Sequence, residues 1–127
     1  MKITIPKNTP IILSDSAEPL VYIALLSQSG TNAPTSNILD NTLGDITFER
    51  VYRGIYNLIS NGLFALNKTR VLIGGVYNND SNGVGCFIGV RGYGLSENVM
   101  TIDTTYLDGT NSDDLLLNTS IEILVYP

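Results

Sequence analysis

The sequence predicts an all-β domain: an antiparallel β-sandwich, jelly-roll-like, with about eight to ten short strands. Apolar residues in the segment 84–90 fall on every other position, which is the period of a strand with one buried face. Asn-Gly pairs at Asn61-Gly62 and Asn82-Gly83 are typical of hairpin turns. Hydrophobic residues make up 43% of the chain and charged residues only 15%, while Asn, Thr, Ser and Gly are abundant. This composition favours strands joined by polar turns over surface helices.

Two regions are predicted along the chain. Residues 1–19 form an N-terminal arm or edge strand followed by a turn, and residues 20–127 form the β-sandwich domain. Ile3 and Ile5 alternate with polar residues and are followed by Pro6. Because proline has no N–H to donate to a ladder, this segment is interpreted either as an edge strand or as an extended arm that reaches a neighbouring subunit.

The first strand of the sandwich is predicted at residues 20–27. It is apolar at both odd and even positions, so we interpret it as a strand covered on both faces, or as one whose outer face meets another subunit. A buried helix is the alternative. After a polar loop, Ile38 and Leu39 are predicted to enter the core for a short distance.

Residues 45–91 are predicted to form a four-strand meander. The apolar parity changes near Arg50 and Val51, as it does at a β-bulge, and Gly54 allows a tight reversal. The segment 69–91 is predicted to be a central hairpin.

The two apolar segments of that hairpin, 69–77 and 84–91, flank the polar loop 78–83. Cys86 is the only cysteine, which excludes a disulfide within one chain, and its place in the alternation predicts a small buried hydrophobic residue.

The C-terminal third is predicted to hold two strands around an acidic loop. Met100 and Ile102 point inward in a strand at residues 99–105. The loop 107–118 follows, and residues 120–126 alternate as a final strand.

Composition excludes several classes of function. The chain has no histidine, which removes the commonest general base and the usual catalytic triads and zinc ligand sets. A net charge of −5 and a pI near 4.4 disfavour nucleic acid and anionic membrane surfaces as partners. No apolar run reaches the length of a membrane-spanning helix. We therefore expect a protein that is not an enzyme and that has no cofactor.

The acidic loop and nearby tyrosines are the candidate binding residues. Asp108, Asp113 and Asp114 are interpreted as a solvated loop, with a weak Ca²⁺ site and a carboxylate-dependent glycosidase as alternatives. Tyr93 and Tyr106 lie near turns, where an aromatic ring can stack on a sugar or fill an interface between subunits. We therefore name these five residues as possible ligand contacts.

Several segments of the chain resemble a family of small structural proteins of tailed bacteriophages, notably crAss-like and other phages of Bacteroidetes. The resemblance covers about the last hundred residues. It lies in turn and strand segments: LSQSGTNAP at 26–34, NTLG at 41–44, GIY at 54–56, NKT at 67–69 and NTSIEILVYP at 118–127.

The resemblance implies a virion component, either a capsid decoration protein, a head fibre or a tail fibre module, assembled as a symmetric oligomer. We expect a homotrimer that contacts capsid or fibre proteins, with Ile3, Ile5 and Pro6 as a possible capsid tether. The alternative is a module at a fibre tip that binds a receptor or a host surface glycan.

Overall fold

The computed structural model describes residues 18–74, 86–91 and 96–127, and within them the chain forms eight β-strands and no helix. The strands are β1 (Leu20–Ser27), β2 (Thr35–Asn41), β3 (Thr47–Tyr52), β4 (Ile55–Ile59), β5 (Thr69–Ile73), β6 (Cys86–Arg91), β7 (Val99–Tyr106) and β8 (Thr119–Val125). They form two antiparallel sheets of four, sheet A in the order β2-β1-β8-β5 and sheet B in the order β3-β4-β7-β6. The predicted all-β sandwich is confirmed, and eight strands in two sheets is also the composition of a jelly roll.

The core lies between the two sheets. In sheet A it is formed by alternate residues of the central strands β1 and β8, and in sheet B by alternate residues of β4 and β7. The fully buried members include Tyr22, Ala24, Leu26, Ile121, Ile123, Tyr56, Leu58, Met100 and Ile102. Burial of apolar area on both inner faces is what holds the sheets together.

The bulge and the reversal predicted in β3 and β4 are confirmed. The register of β3 against β4 shifts between Arg50 and Tyr52, so one extra residue is inserted in β3. Gly54 then reverses the chain with a φ of +69°, in the left-handed region where glycine carries no steric penalty. A bulge of this kind bends its strand and increases the local twist.

The predicted central hairpin is wrong in its pairing. β5 pairs with β8 in sheet A, whereas β6 pairs with β7 in sheet B. The described parts of the two segments therefore lie in opposite sheets, and residues 75–85, with the predicted loop 78–83, lie outside the described residues. The four-strand meander is likewise wrong beyond the β3–β4 hairpin, because residues 60–68 form turns that carry the chain from sheet B to sheet A.

Ile38 and Leu39 do not enter the core as predicted. They lie on β2, at the edge of sheet A, with 51% and 59% of their surface exposed. A second register shift, between Ile23 and Ala24 of the neighbouring strand, makes Leu39 the extra residue of a bulge. An edge strand is covered on one side only, so apolar residues there remain open to solvent.

The other burial predictions agree with the structure. β1 has the predicted bounds, and its inner face is fully buried while its outer face is half-buried. Cys86 is buried, as its alternation predicts.

The division at residue 19 and the proposed arm fall almost entirely on residues 1–17, which lie outside the described residues.

Candidate functional site

One end of the sandwich gathers the loops that hold most of the predicted ligand residues. They are the β1–β2 loop (28–34), the β3–β4 turn (53–54) and the β7–β8 loop (107–118). The backbone N–H of Gln28 donates to the carbonyl of Leu116 at 3.0 Å, which ties the first loop to the third. We call these three segments the loop end.

Asp113 lies at the centre of the loop end. Its Oδ2 accepts a hydrogen bond from Arg50 Nη2 at 2.7 Å, and Arg50 Nε lies 3.1 Å from both carboxylate oxygens. Its Oδ1 accepts from the backbone N–H of Gly54 at 2.9 Å and from the hydroxyl of Tyr56 at 2.8 Å. The side chains of Arg50 and Asp113 are only 23% and 11% exposed. This carboxylate therefore binds β3, β4 and the turn between them to the β7–β8 loop.

The electrostatics of this group are those of a structural ion pair. Burial of the Asp113 carboxyl favours its neutral form, but hydrogen bonds from Arg50, the Gly54 backbone and Tyr56 outweigh burial and hold its pKa at about 2. Burial, followed by the hydrogen bond to Asp113, raises the pKa of Tyr56 above its ordinary value. At neutral pH the carboxylate is therefore ionised and the phenol keeps its proton.

Gln28 completes the network and is itself buried. Its Nε2 donates to the carbonyls of Gly30 and Asn32, and its Oε1 accepts from the backbone N–H of Asp114 at 2.8 Å. The Tyr56 hydroxyl lies 2.9 Å from the same Oε1. That hydroxyl has one proton and two acceptors within reach. It donates the proton to Asp113, because an ionised carboxylate is a stronger acceptor than an amide oxygen. Gln28 thus fixes the shape of the β1–β2 loop.

A shallow groove of about 320 Å³ opens beside this loop. Its lining combines hydroxyl and amide groups with aliphatic carbon: Ser27, Gln28, Ser29, Asn32, Ala33, Thr35, Leu116 and Leu117. Leu116 is buried beneath it, whereas Leu117 is more than half exposed at its rim. The volume is at the lower end of the range found for small-molecule sites.

The structure does not bring the three predicted loop carboxylates together. Asp113 faces Arg50, as described above. Asp114 Oδ1 accepts from the backbone N–H of Gly30 at 2.6 Å, and Asp108 Oδ1 accepts from that of Thr110 at 2.9 Å. The hydrogen bond from the Thr110 backbone lowers the pKa of Asp108, so this carboxylate also is ionised at neutral pH.

The remaining predicted contact residues are divided between the described and the undescribed parts of the chain. Tyr106 ends β7 and is half-buried, and its backbone N–H donates to the carbonyl of Thr110. Tyr93, Ile3, Ile5 and Pro6 lie outside the described residues.

Sequence reasoning missed Arg50, Tyr56 and Gln28 as members of this network. One signal was present for Arg50, which shares the parity of Phe48 on the half-buried side of β3. A charged side chain at such a position requires a partner of opposite charge. The sequence does not indicate which of several aspartates that partner is.

A second candidate surface is the outer side of sheet A. Five aliphatic side chains point outward from adjacent strands, and we call them the aliphatic face: Val21, Ile23 and Leu25 of β1, Leu124 of β8 and Leu72 of β5. The first four are half-buried by their neighbours and Leu72 is exposed. Glu122 of β8 lies between Ile23 and Leu72 on the same side. An apolar patch with a polar residue of this kind is typical of an interaction surface.

Comparison with known proteins adds no identification: the chain matches no family model, no curated protein and no solved structure. In the ranges that the structure describes, no helix is long and apolar enough to cross a membrane. The same ranges contain no group of three or more Cys, Asp or Glu side chains placed to hold a metal ion. The Ca²⁺ site and the phage resemblance stay predictions.

Proposed function

We propose that this chain is a non-enzymatic structural protein of a bacteriophage virion, a capsid decoration or head-fibre component that works as a symmetric assembly of identical copies. The observation that carries the proposal is the aliphatic face. Four of its five side chains lie on the two central strands β1 and β8 and Leu72 lies on the edge strand β5, where a second protein surface can cover them and exclude water.

The loop end supports the same function. Its acidic loop is held in place by Asp113, which accepts hydrogen bonds from Arg50, Gly54 and Tyr56, so its charged residues act within the chain. The loop end is then fixed by its own hydrogen bonds, and the aliphatic face is left to contact other copies or the capsid lattice. Ile3, Ile5 and Pro6 of the N-terminal segment are the proposed capsid tether.

The test is the presence of the chain in purified particles. An antibody raised against the purified chain should label particles from cells that express it. Ile23→Lys should lower that occupancy by about tenfold or more, because it places a charge in the middle of the aliphatic face. Thr47→Lys is the matched control, since Thr47 is exposed at the start of β3 in the other sheet, and it should leave occupancy unchanged. Particles that contain none of the chain would overturn the proposal.

The alternative function is a receptor- or glycan-binding module at a fibre tip. The groove beside Gln28 favours it, because hydroxyl and amide groups around an aliphatic floor suit a small polar ligand. Tyr106 and Asp108 lie in or beside the β7–β8 loop at the same end of the sandwich.

A glycan array separates the two functions. Under the alternative, the wild-type chain binds a subset of glycans, and Asp108→Ala lowers that binding by about tenfold, as expected when a hydrogen-bond acceptor for a sugar hydroxyl is removed. Asp45→Ala, which removes an exposed carboxylate before β3, is the control and should not change it. An array with no signal would count against this function.

A further inference from the structure

We infer that the outer side of sheet B binds a neutral glycan, which stacks on Phe87 and donates hydroxyl hydrogen bonds to Asp103 beside the gap that Gly89 leaves. The inference goes beyond the proposed assembly role, because assembly uses the outer side of sheet A and this site lies on the outer side of the other sheet. It also differs from the alternative function, which places a ligand at the loop end.

Gly89 is the first indication of a site. It lies within β6, directly opposite Asp103, and the register of β6 against β7 is continuous on both sides of it. Glycine weakens a strand, and inside one it marks a bulge, a tight bend or a place where another molecule approaches closely. The continuous register excludes a bulge, and the φ of Gly89 lies outside the left-handed region, so no bend requires a glycine. Close approach of another molecule is the explanation that remains.

The space above Gly89 is bordered by the carboxylate of Asp103. Among the described residues other than its chain neighbours, a Cβ at position 89 would meet Asp103 Oδ1 at 3.2 Å and nothing else within 4 Å. The end of a flexible side chain can turn away by a few tenths of an ångström, so this contact does not by itself require a glycine. The missing side chain therefore leaves a gap in the surface with a carboxylate at its side.

Asp103 is available to a ligand. It is half-buried, and within the described part of the chain its carboxylate forms no hydrogen bond and no ion pair. Partly buried polar groups usually have a partner, and an ionised carboxylate has two oxygens that only accept hydrogen bonds. A ligand that donates hydrogen bonds would supply what Asp103 lacks.

Two exposed aromatic side chains lie on the same side of sheet B. Phe87, two residues from Gly89 on β6, is 62% exposed, and Tyr52, on the edge strand β3, is 67% exposed. Tyr52, Ile55, Asp103 and Gly89 lie opposite one another in turn, so they form one row across the sheet, about 14 Å long at about 4.8 Å per strand. Phe87 is a diagonal neighbour of Asp103, about 7 to 8 Å away. We call these five residues the sheet B platform.

A row of hydrogen-bonded polar side chains borders the platform. Thr101 Oγ1 donates to Asn57 Oδ1 at 2.7 Å, and Asn57 Nδ2 donates to Glu49 Oε1 at 2.8 Å. The three residues lie opposite one another, two positions along the strands from the platform row. Asn57 keeps a second amide proton and Thr101 keeps its lone pairs for a ligand. Because these side chains are already held in place, binding costs little of their conformational entropy.

This set of groups suits a sugar better than a basic side chain. A sugar ring has a C–H face that packs on an aromatic ring, and its hydroxyls both donate and accept hydrogen bonds. Lys and Arg only donate, so they would satisfy Asp103 but give no acceptor to the Asn57 amide or the Tyr52 hydroxyl. The carboxylates of Asp103 and Glu49 disfavour an acidic sugar. We therefore expect a neutral glycan of several rings that lies across the strands.

The test is a glycan array probed with the full chain, followed by titration of the neutral glycan that gives the strongest signal. Phe87→Ala and Asp103→Asn should each lower the affinity by about tenfold, because one removes the stacking surface and the other the charged acceptor. Tyr126→Ala and Asp45→Asn are the matched controls. They alter an exposed tyrosine after β8 and an exposed carboxylate before β3, both away from the platform, and should leave the affinity unchanged.

Gly89→Val separates loss of binding from loss of folding. A β-branched residue favours a strand, so thermal unfolding should give a Tm that is unchanged or higher than that of the wild type. The valine methyl groups fill the gap beside Asp103, so the affinity for the same glycan should fall by about tenfold or more. Unchanged affinity in this variant would overturn the inference.

The remaining outcomes distinguish the inference from the proposed function. An array without signal overturns the inference and leaves assembly on particles, which is measured by occupancy, unaffected. Binding that is lost in Asp108→Ala but kept in Phe87→Ala places the glycan at the loop end, and the platform is then wrong. Binding of a lysine-rich peptide, in place of any glycan, that is lost in Phe87→Ala would show that the platform takes a basic segment instead.

Discussion

Gly54→Ala should lower the free energy of unfolding by about 3 to 4 kcal/mol, from a left-handed backbone penalty of about 1 kcal/mol and a larger steric one. A Cβ at this position would lie 2.6 Å from the carbonyl oxygen of Thr104 and 2.6 Å from the backbone nitrogen of Ser112. Both atoms belong to backbone that is itself hydrogen-bonded, because Ser112 N donates to Thr104 O at 3.1 Å. Neither can move without disrupting the contact between β7 and the loop that follows it. Thermal unfolding should show a fall in Tm of about 10 °C.

Gly62→Ala is the matched control for this change. Gly62 has nearly the same backbone angle, with a φ of +72° against +69° at Gly54, but a Cβ there would meet nothing within 4 Å. We expect a loss of only about 1 kcal/mol, the cost of the left-handed conformation by itself. Equal losses at the two glycines would show that close approach of the β7–β8 loop does not restrict residue 54.

The parts of the fold that could be predicted from sequence are those that depend on local pattern. The bounds of β1 follow from an unbroken apolar run that ends at polar residues. The inward positions of Met100 and Ile102 follow from alternation, because apolar residues recur at every second position in a strand with one buried face. The reversal at Gly54 and the bulge beside Arg50 are equally local. A change of parity and a glycine are both visible within a few residues.

Strand partners could not be predicted in the same way. The segment that contains β5 is a short apolar run and the segment that contains β6 alternates, and a polar loop between them favours a hairpin, yet β5 pairs with β8 and β6 with β7. Alternation specifies a face and carries no information on which strand lies alongside. The pairing of β5 is determined by where β8 lies, about fifty residues later in the chain, and non-local contacts of this kind are absent from any short window.

The partner of Arg50 at the loop end could not be predicted either, because that contact too is non-local. Arg50 and Asp113 are 63 positions apart, and four other aspartates lie after residue 40 in the described part of the chain, besides Asp40 itself. The Asp-Gly and Asn-Ser pairs of the acidic loop are turn formers, so the sequence predicts a solvated loop. That interpretation describes Asp108 but not Asp113, which turns inward to the guanidinium of Arg50, a residue of a distant strand.

Asp113→Asn should lower the free energy of unfolding by about 2 to 3 kcal/mol, somewhat less than the loss of a fully buried ion pair because the side chains are still partly open to water. An amide keeps the size of the carboxyl group but removes its charge and turns an NH₂ donor toward Arg50 or Gly54, which are donors themselves. Asp108→Asn is the matched control. Its amide oxygen can still accept from Thr110, so denaturant unfolding should show almost no change.

The pH dependence of this loss in stability tests whether the charge of Asp113 causes it. The pKa of Asp113 is about 2 in the folded chain and about 3.9 in an unfolded one, so the carboxylate stabilises the fold above the unfolded value. That contribution is lost as the pH falls from about 5 to about 2, where the folded carboxyl also takes up a proton. The difference in stability between wild type and Asp113→Asn should therefore narrow across this range, since a protonated carboxyl and an amide are both neutral. A difference that stays constant down to about pH 2 would mean that packing around residue 113, and not its charge, joins the β3–β4 turn to the β7–β8 loop.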